Sequence, residues 1–256
     1  MSEEVIKILT AIIIFAVAVG AGLLPLRMGA TKRGDVILML GLAFAGGVFL
    51  AGGLVHLLVD GMESFEELGM GEGFPLAFAI CGLGLLAVLL FEKVAAAGTE
   101  ESTAVSASGR QPYLLLIVLS AHSVIAGASL GLQTSGSAFL MILLAILAHK
   151  GFAAFSLGVS FMRGGLARQS YRRLLLFFAC TTPVGLLLGT LASSALSGTA
   201  ALWFEAVFDS LAAGTFLYVA TMDLMHDVFE EVSIRARKYA ASCVGFGLMS
   251  MLAIWA

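Results

Sequence analysis

The sequence predicts an all-α integral membrane protein with eight transmembrane helices, and its composition and charge pattern support this. Hydrophobic residues make up 60% of the 256 residues, and the mean hydropathy is +1.03. Charged residues make up only 12%, about half the share of roughly a quarter that is typical of soluble domains. A soluble fold would need more polar surface than these residues supply. The bilayer is therefore the solvent for most of the chain, which leaves no place for a soluble domain or a nucleic-acid partner.

Eight apolar segments are long enough to cross a membrane. A helix needs about 20 mostly apolar residues to span roughly 30 Å of hydrocarbon. The predicted spans are residues 5–26, 36–59, 74–91, 112–132, 138–161, 173–194, 202–228 and 239–256. We expect one membrane domain over residues 1–256, with residues 92–111, rich in Ala, Ser, Thr and Gly, as a cytoplasmic linker loop.

Basic residues predict the orientation, with both termini extracellular. Positive charge is retained on the cytoplasmic side of membrane proteins. With the N-terminus outside, twelve of the fourteen Lys and Arg residues fall at inner ends or loops. Lys7 lies outside, Lys150 lies within a span, and acidic residues such as Glu63 and Glu67 fall on the outer side. This pattern requires an even number of spans.

Two histidines lie near the middle of the fourth and fifth spans. His122 and His149 sit in segments, Ala121 to Gly131 and Ala148 to Gly158, that match at six of eleven positions. An ionisable residue at this depth costs at least about 2.5 kcal/mol to insert, so it is a candidate for function. Neutral imidazole is a common ligand of zinc, copper, iron and nickel. The pattern predicts two halves of a site for a divalent metal ion, whereas the alternative is that each histidine hydrogen-bonds a neighbouring helix.

Further ionisable groups form a series across the bilayer. His56 and Asp60 share one face at the outer end of the second span, and Asp209 lies just inside the outer end of the seventh. The inner end of the seventh span carries a stripe of polar residues: Asp223, His226, Asp227 and Glu230. The series is typical of a cation path with an entrance at His56 and Asp60 and an exit at the stripe. The alternatives are ordinary interfacial charge for the end clusters and an ion pair with Lys150 for Asp209.

Several motifs carry a resemblance to a known family. They are His122 to Gly131, His149-Lys150-Gly151, Phe44 to Ala51 followed by His56-Leu57-Leu58 and Asp60, Thr181 to Gly185, and Gly214 to Ala220 followed by Asp223-Leu224. Over essentially its full length the chain resembles the ZIP (Zrt/Irt-like protein) metal transporters. The resemblance implies a 3+2+3 arrangement of helices whose outer triplets are related by inverted repetition. It also implies movement of Zn²⁺, and often Fe²⁺ or Mn²⁺, toward the cytosol.

The resemblance and the outer acidic residues give the remaining expectations. The substrate is a divalent metal ion, most plausibly Zn²⁺, with Fe²⁺, Mn²⁺ and Cd²⁺ as competitors, and no permanent cofactor is expected. The ion and the lipid bilayer are the expected partners, and a homodimer is left open. The acidic outer side favours the plasma membrane.

The chain departs from the family pattern beside both histidines. Many relatives carry a glutamate four residues after each histidine, bridging two metals, and here those positions are Ala126 and Ala153. The Lys150 ammonium would also oppose a second ion. We therefore expect a single-metal site at His122 and His149, with Ser123, Asp209 and water as supplementary ligands. Lys150 either replaces the second cation and holds a carboxylate such as that of Asp209, or forms a structural ion pair.

Two other classes of protein compete with transport. An intramembrane metal-dependent hydrolase needs three firm protein ligands and an open water position. Only two of the four histidines reach the midplane, and no His-Glu-x-x-His motif occurs. A receptor or structural membrane protein would leave the series of polar groups unexplained. Transport is therefore the prediction, and the hydrolase is its main alternative.

Overall fold

The described residues of the protein form eight rod-like helices, some of which contain a π-helical stretch. A computed structural model describes residues 3–28, 32–95, 107–133, 136–192 and 198–254, and these residues contain no strand. The rods are α1 (Glu3–Met28), α2 (Lys32–Ala51, Gly52–Leu57 and Leu58–Glu67), α3 (Leu76–Leu89 and Leu90–Ala95), α4 (Ala107–Leu132), α5 (Gly136–Arg163), α6 (Arg168–Ala192), α7 (Thr199–Tyr218, Val219–Met225 and His226–Glu230) and α8 (Arg235–Leu252). The second segments of α2, α3 and α7 are π-helical. The predicted all-helical, multi-pass architecture is confirmed.

The helices extend past most of the predicted spans. Hydropathy detects only the apolar part of a helix, whereas backbone hydrogen bonding continues into the polar turns; α2, for example, runs on to Glu67. Six rods (α1, α2, α4, α5, α6 and α7) are long and apolar enough to cross a bilayer, and α3 is a shorter apolar helix. The predicted loop 92–111 falls partly on residues 96–106, which lie outside the described residues, and both of its ends are helical.

The chain divides into two compact units. The first contains α1, residues 32–39 of α2, and α4, α5 and α6; the second contains the rest of α2 together with α3, α7 and α8. His122, His149 and Lys150 belong to the first unit. His56 and Asp209 belong to the second.

In the first unit, α4 and α6 pack backbone against backbone. Gly127 faces the carbonyl oxygen of Thr182, and a Cβ placed on Gly127 would collide with it. Gly185 and Gly189 on α6 face the carbonyls of α4 in the same way. Small residues four apart allow this close approach in lipid. The glycines therefore fix the spacing of the two helices that flank the buried part of α5.

A buried lysine and a tyrosine attach α1 to this core. Lys7 Nζ donates a hydrogen bond to the Gly131 carbonyl at 3.2 Å, one of the carbonyls at the end of α4 that have no partner within the helix. Near the opposite end of α1, the Tyr171 hydroxyl on α6 donates to the Gly22 carbonyl. Helix α1 is thus attached to α4 near one end and to α6 near the other.

In the second unit, α2 and α7 run antiparallel. Gly46 lies beside Met225, and further along the two helices Gly61 lies beside Ser210. The two helices also repeat a sequence, because residues 45–50 and 212–217 are identical at four of six positions. The equivalent Phe49 and Phe216 meet at a centroid distance of 4.9 Å. A repeat carried by antiparallel helices is inverted, as the resemblance implies.

Candidate metal site

Both midspan histidines are buried in the first unit. His122 lies ten residues before the end of α4, or about 15 Å along its axis, and His149 lies at the centre of α5. Their exposed fractions are 6% and 7%. Apart from Lys150, the flanking residues are apolar or small, so the sequence places the two imidazoles at the depth where a polar side chain is most costly.

The structure brings the two imidazoles together. Their ring centroids are 5.6 Å apart and the ring planes are inclined at 55°. Two imidazoles bound to one tetrahedral zinc, with Zn–N bonds of about 2.0–2.1 Å, have ring centroids about 5 Å apart. The observed separation of the two rings is close to that distance.

Lys150 extends from α5 into the space between α4 and α6. It is only 2% exposed. Its ammonium donates to Ser123 Oγ on α4 at 2.9 Å and to the Phe178 carbonyl on α6 at 3.3 Å. It also lies 3.7 Å from the centroid of the Phe178 ring, where the electron-rich face attracts a cation. A second acceptor on α6, Thr181 Oγ1, lies at 3.5 Å.

The partners on α6 were not predicted as part of the site. Thr181 belongs to the Thr181-Thr182-Pro183 motif, and its hydroxyl donates to the Phe178 carbonyl at 2.6 Å. A backbone carbonyl has no sequence signature, so Phe178 could not have been found from residue types. The lysine's hydrogen bonds lie within the first unit, whereas Asp209, the predicted carboxylate partner, belongs to the second.

Alanines occupy the positions four residues after the two histidines. Ala153 is buried and Ala126 is half-buried. Within the described parts of the chain, no three His, Cys, Asp or Glu side chains are arranged to hold a metal ion. The imidazole pair therefore offers two strong ligands, and a hydroxyl or water must complete any tetrahedral coordination.

The predicted entrance residues are in contact with each other. His56 Nδ1 lies 3.0 Å from Asp60 Oδ2, four residues further along α2. His56 lies within the π-helical stretch Gly52–Leu57, and such bulges occur frequently at functional sites. Asp209 is half-buried on α7, in the same unit.

The predicted exit residues differ in burial. Asp223 is buried, with 7% of its surface exposed, whereas the side chains of His226 and Asp227 are 63% and 38% exposed. Asp223 lies in the π-helical stretch Val219–Met225, where the wider turn interrupts the α-helical spacing on which the predicted stripe depends. His226 Nδ1 and Asp227 Oδ1 are 3.7 Å apart.

Two buried imidazoles on adjacent helices of a multi-pass membrane protein are a donor set that suits a metal-ion transporter. A family model described as ZIP Zinc transporter matches residues 5–112 and 96–253 of the chain. The chain belongs to the ZIP zinc transporter family, which confirms the resemblance. It is a membrane transporter of divalent metal ions, and the hydrolase alternative is not supported.

Individual relatives agree with the family assignment. Mouse zinc transporter ZIP2 is 27% identical, with 98% of each chain covered. Zinc transporter 11 of Arabidopsis thaliana is 29% identical over 98% of this chain and 85% of its own length. Fe(2+) transport protein 3, chloroplastic, from the same plant, is 34% identical over 53% of this chain and 34% of its own length.

Proposed function

We propose that this protein moves Zn²⁺ toward the cytosol through a single-ion site built on His122 and His149. The observation that carries the proposal is the 5.6 Å separation of the two buried rings at the middle of adjacent helices. An ion that crosses there must lose most of its water. Two imidazoles replace part of that hydration at a depth where water is scarce.

The site binds the ion weakly enough to release it. His122 and His149 supply the firm ligands, and Ser123 Oγ and water act as supplementary ligands. Ser123 Oγ already accepts a hydrogen bond from Lys150, so the hydroxyl is a weaker ligand than a free one. The Lys150 ammonium takes the place of a second cation, which limits the site to one ion.

The proposed path also includes polar groups of the second unit. His56 and Asp60, held together at 3.0 Å, capture the ion at the outer end of α2. At the inner end of α7, the buried Asp223 accepts the ion and the exposed His226 and Asp227 release it. Carboxylates and imidazoles suit these roles because both are ligands of divalent metals.

Zinc is the proposed principal substrate, with iron second. Both full-length relatives named above are zinc transporters, and the shorter match is an Fe(2+) transport protein. Imidazole ligands suit both metals. The order of preference among the metals can be measured by the competition of Fe²⁺, Mn²⁺ and Cd²⁺ with Zn²⁺ uptake in reconstituted vesicles. Stronger transport of Mn²⁺ than of Zn²⁺ would contradict the proposal.

Uptake by vesicles containing purified protein tests the site. We expect His122→Ala and His149→Ala each to lower Zn²⁺ uptake at least about tenfold, because one imidazole cannot replace two. Ser156→Ala is the matched control: Ser156 is fully buried on the same helix as His149, and its hydroxyl bonds the Phe152 carbonyl of that helix. Uptake that survives both histidine changes in folded protein would refute the site.

The number of bound ions tests the single-metal geometry separately. Calorimetric titration and elemental analysis of the purified chain are expected to give one Zn²⁺, and none with high affinity when both histidines are replaced. Two ions per wild-type chain would contradict the proposal for Lys150.

Orientation and location complete the proposal. We expect a cysteine introduced at Glu72 to be labelled from outside intact cells, and one introduced at Arg163 to be labelled only after permeabilisation. The same labelling shows whether the protein reaches the plasma membrane. Labelling of the Arg163 position in intact cells would reverse the proposed direction of the path.

A further inference from the structure

A second feature of the first unit lies between α1 and α6. A cavity of about 330 Å³ is lined by Val19, Leu23, Leu26, Arg27, Arg168, Arg172, Leu175 and Leu176. Its arginines are exposed, whereas the apolar residues belong to the parts of α1 and α6 that continue into the spans. The cavity thus has a cationic end and an apolar end.

The three arginines are available to an anion. In the described part of the chain, none of the guanidinium groups of Arg27, Arg168 and Arg172 forms an ion pair with a carboxylate. Guanidinium groups bind phosphate oxygens through two parallel hydrogen bonds. Helix α6 begins at Arg168, so the positive end of its dipole adds to the same field.

The apolar end distinguishes the cavity from a simple anion site. Leu175 packs against Gly22 of α1 and closes the back of the cavity, whereas Leu176 is 46% exposed at its edge. Pockets for small molecules have volumes of roughly 300–1,000 Å³, so this one takes a headgroup and the first part of an acyl chain. The basic residues predict that this end of the unit faces the cytosol.

We propose that this cavity binds an anionic phospholipid of the cytoplasmic leaflet, with its phosphate on Arg27, Arg168 and Arg172 and an acyl chain against Leu23 and Leu176. Basic pockets between transmembrane helices on the cytoplasmic side are suited to such headgroups. Charge complementarity selects the headgroup, and the apolar wall selects a lipid over a soluble phosphate. The site is separate from the imidazole pair and does not depend on the proposed zinc path.

Native mass spectrometry of the full chain, extracted from vesicles of phosphatidylcholine with or without phosphatidylglycerol, tests the proposal. We expect the wild-type chain to retain phosphatidylglycerol in preference to phosphatidylcholine. Each arginine contributes about fivefold to the affinity, so replacing all three cavity arginines by glutamine lowers retention on the order of a hundredfold. The matched control replaces Arg163, Arg173 and Arg235, exposed arginines that do not line the cavity, by glutamine.

Two further comparisons separate the lipid from other occupants. Leu176→Trp fills the apolar end and leaves the arginines in place, so we expect retention to fall about tenfold; Leu187→Trp, at an exposed position three turns further along α6, is its control. Equal loss in the control triple variant, full retention in Leu176→Trp, equal retention of both lipids, or complete displacement by inorganic phosphate would each overturn the proposal.

Discussion

Replacing Lys150 by methionine tests whether the Lys150 ammonium limits the candidate site to one ion. The change removes the ammonium and keeps a flexible side chain of similar length. Two hydrogen bonds from a charged donor and one contact with an aromatic ring are lost, together about 5–8 kcal/mol. Removing a buried charge also removes a desolvation cost of several kcal/mol. We therefore expect the free energy of unfolding to change by less than about 2 kcal/mol.

The effect on metal binding is expected to be larger than the effect on stability. Lys150 follows His149 and bonds Ser123, which follows His122, so its ammonium is anchored one residue along from each imidazole. At a separation of roughly 8 Å, a unit charge and a dication repel by about 4 kcal/mol at an effective dielectric constant of 20. Part of this repulsion is screened, so we expect zinc to bind at least about tenfold more tightly and to be released more slowly.

Isothermal titration with Zn²⁺ and initial-rate uptake in vesicles measure both effects. Lys238→Met is the control, because it also removes a fully buried ammonium but in the second unit, where Lys238 bonds the Val228 carbonyl at 2.8 Å. An unchanged zinc Kd in folded Lys150→Met protein would refute the electrostatic role of this lysine. Normal uptake would assign Lys150 a purely structural function.

Three more changes test separate parts of the molecule. Gly185→Val should lower the free energy of unfolding by about 1–3 kcal/mol through overpacking against α4, and unchanged thermal unfolding would contradict that contact. Lys238→Met should change the free energy of unfolding by less than about 2 kcal/mol, because the loss of the hydrogen bonds to two carbonyls near the end of α7 is offset by the removed desolvation cost of the buried charge; thermal unfolding measures it, and a loss above about 4 kcal/mol would contradict this balance. Asp60→Asn should raise the half-saturating zinc concentration several-fold with the maximal uptake rate unchanged, since only capture is weakened; an unaltered concentration dependence would remove Asp60 from the entrance.

The periodic features of the sequence account for most of the fold. Apolar runs of about 20 residues predicted all eight helices, because a bilayer requires each span to satisfy its own backbone hydrogen bonds. Gly127 and Gly131 allow α4 to approach α6 closely, although the sequence does not identify α6 as the neighbour. That neighbour is reached through carbonyl oxygens, which every residue carries alike.

The site could be predicted only in part. His122 and His149 stand out because imidazoles are costly at that depth, and the adjacent helices bring their rings within 5.6 Å. The acceptors of Lys150 on α6 depend on which helix faces α5, a property of the packed unit. The inner stripe on α7 was predicted with uniform α-helical spacing, and the π-helical turn that contains Asp223 changes which side chains are buried.

The sequence alone predicted that this chain is a membrane protein with eight helices and two midspan histidines. These features depend on the length of each apolar segment and on the free energy of inserting it into the bilayer, and both are properties of single segments. Tertiary structure decided which helices share a unit, which atoms hold the Lys150 ammonium and where an arginine-lined cavity opens between α1 and α6. These features arise from contacts between segments far apart in the chain, and such contacts leave no local pattern when one partner is backbone.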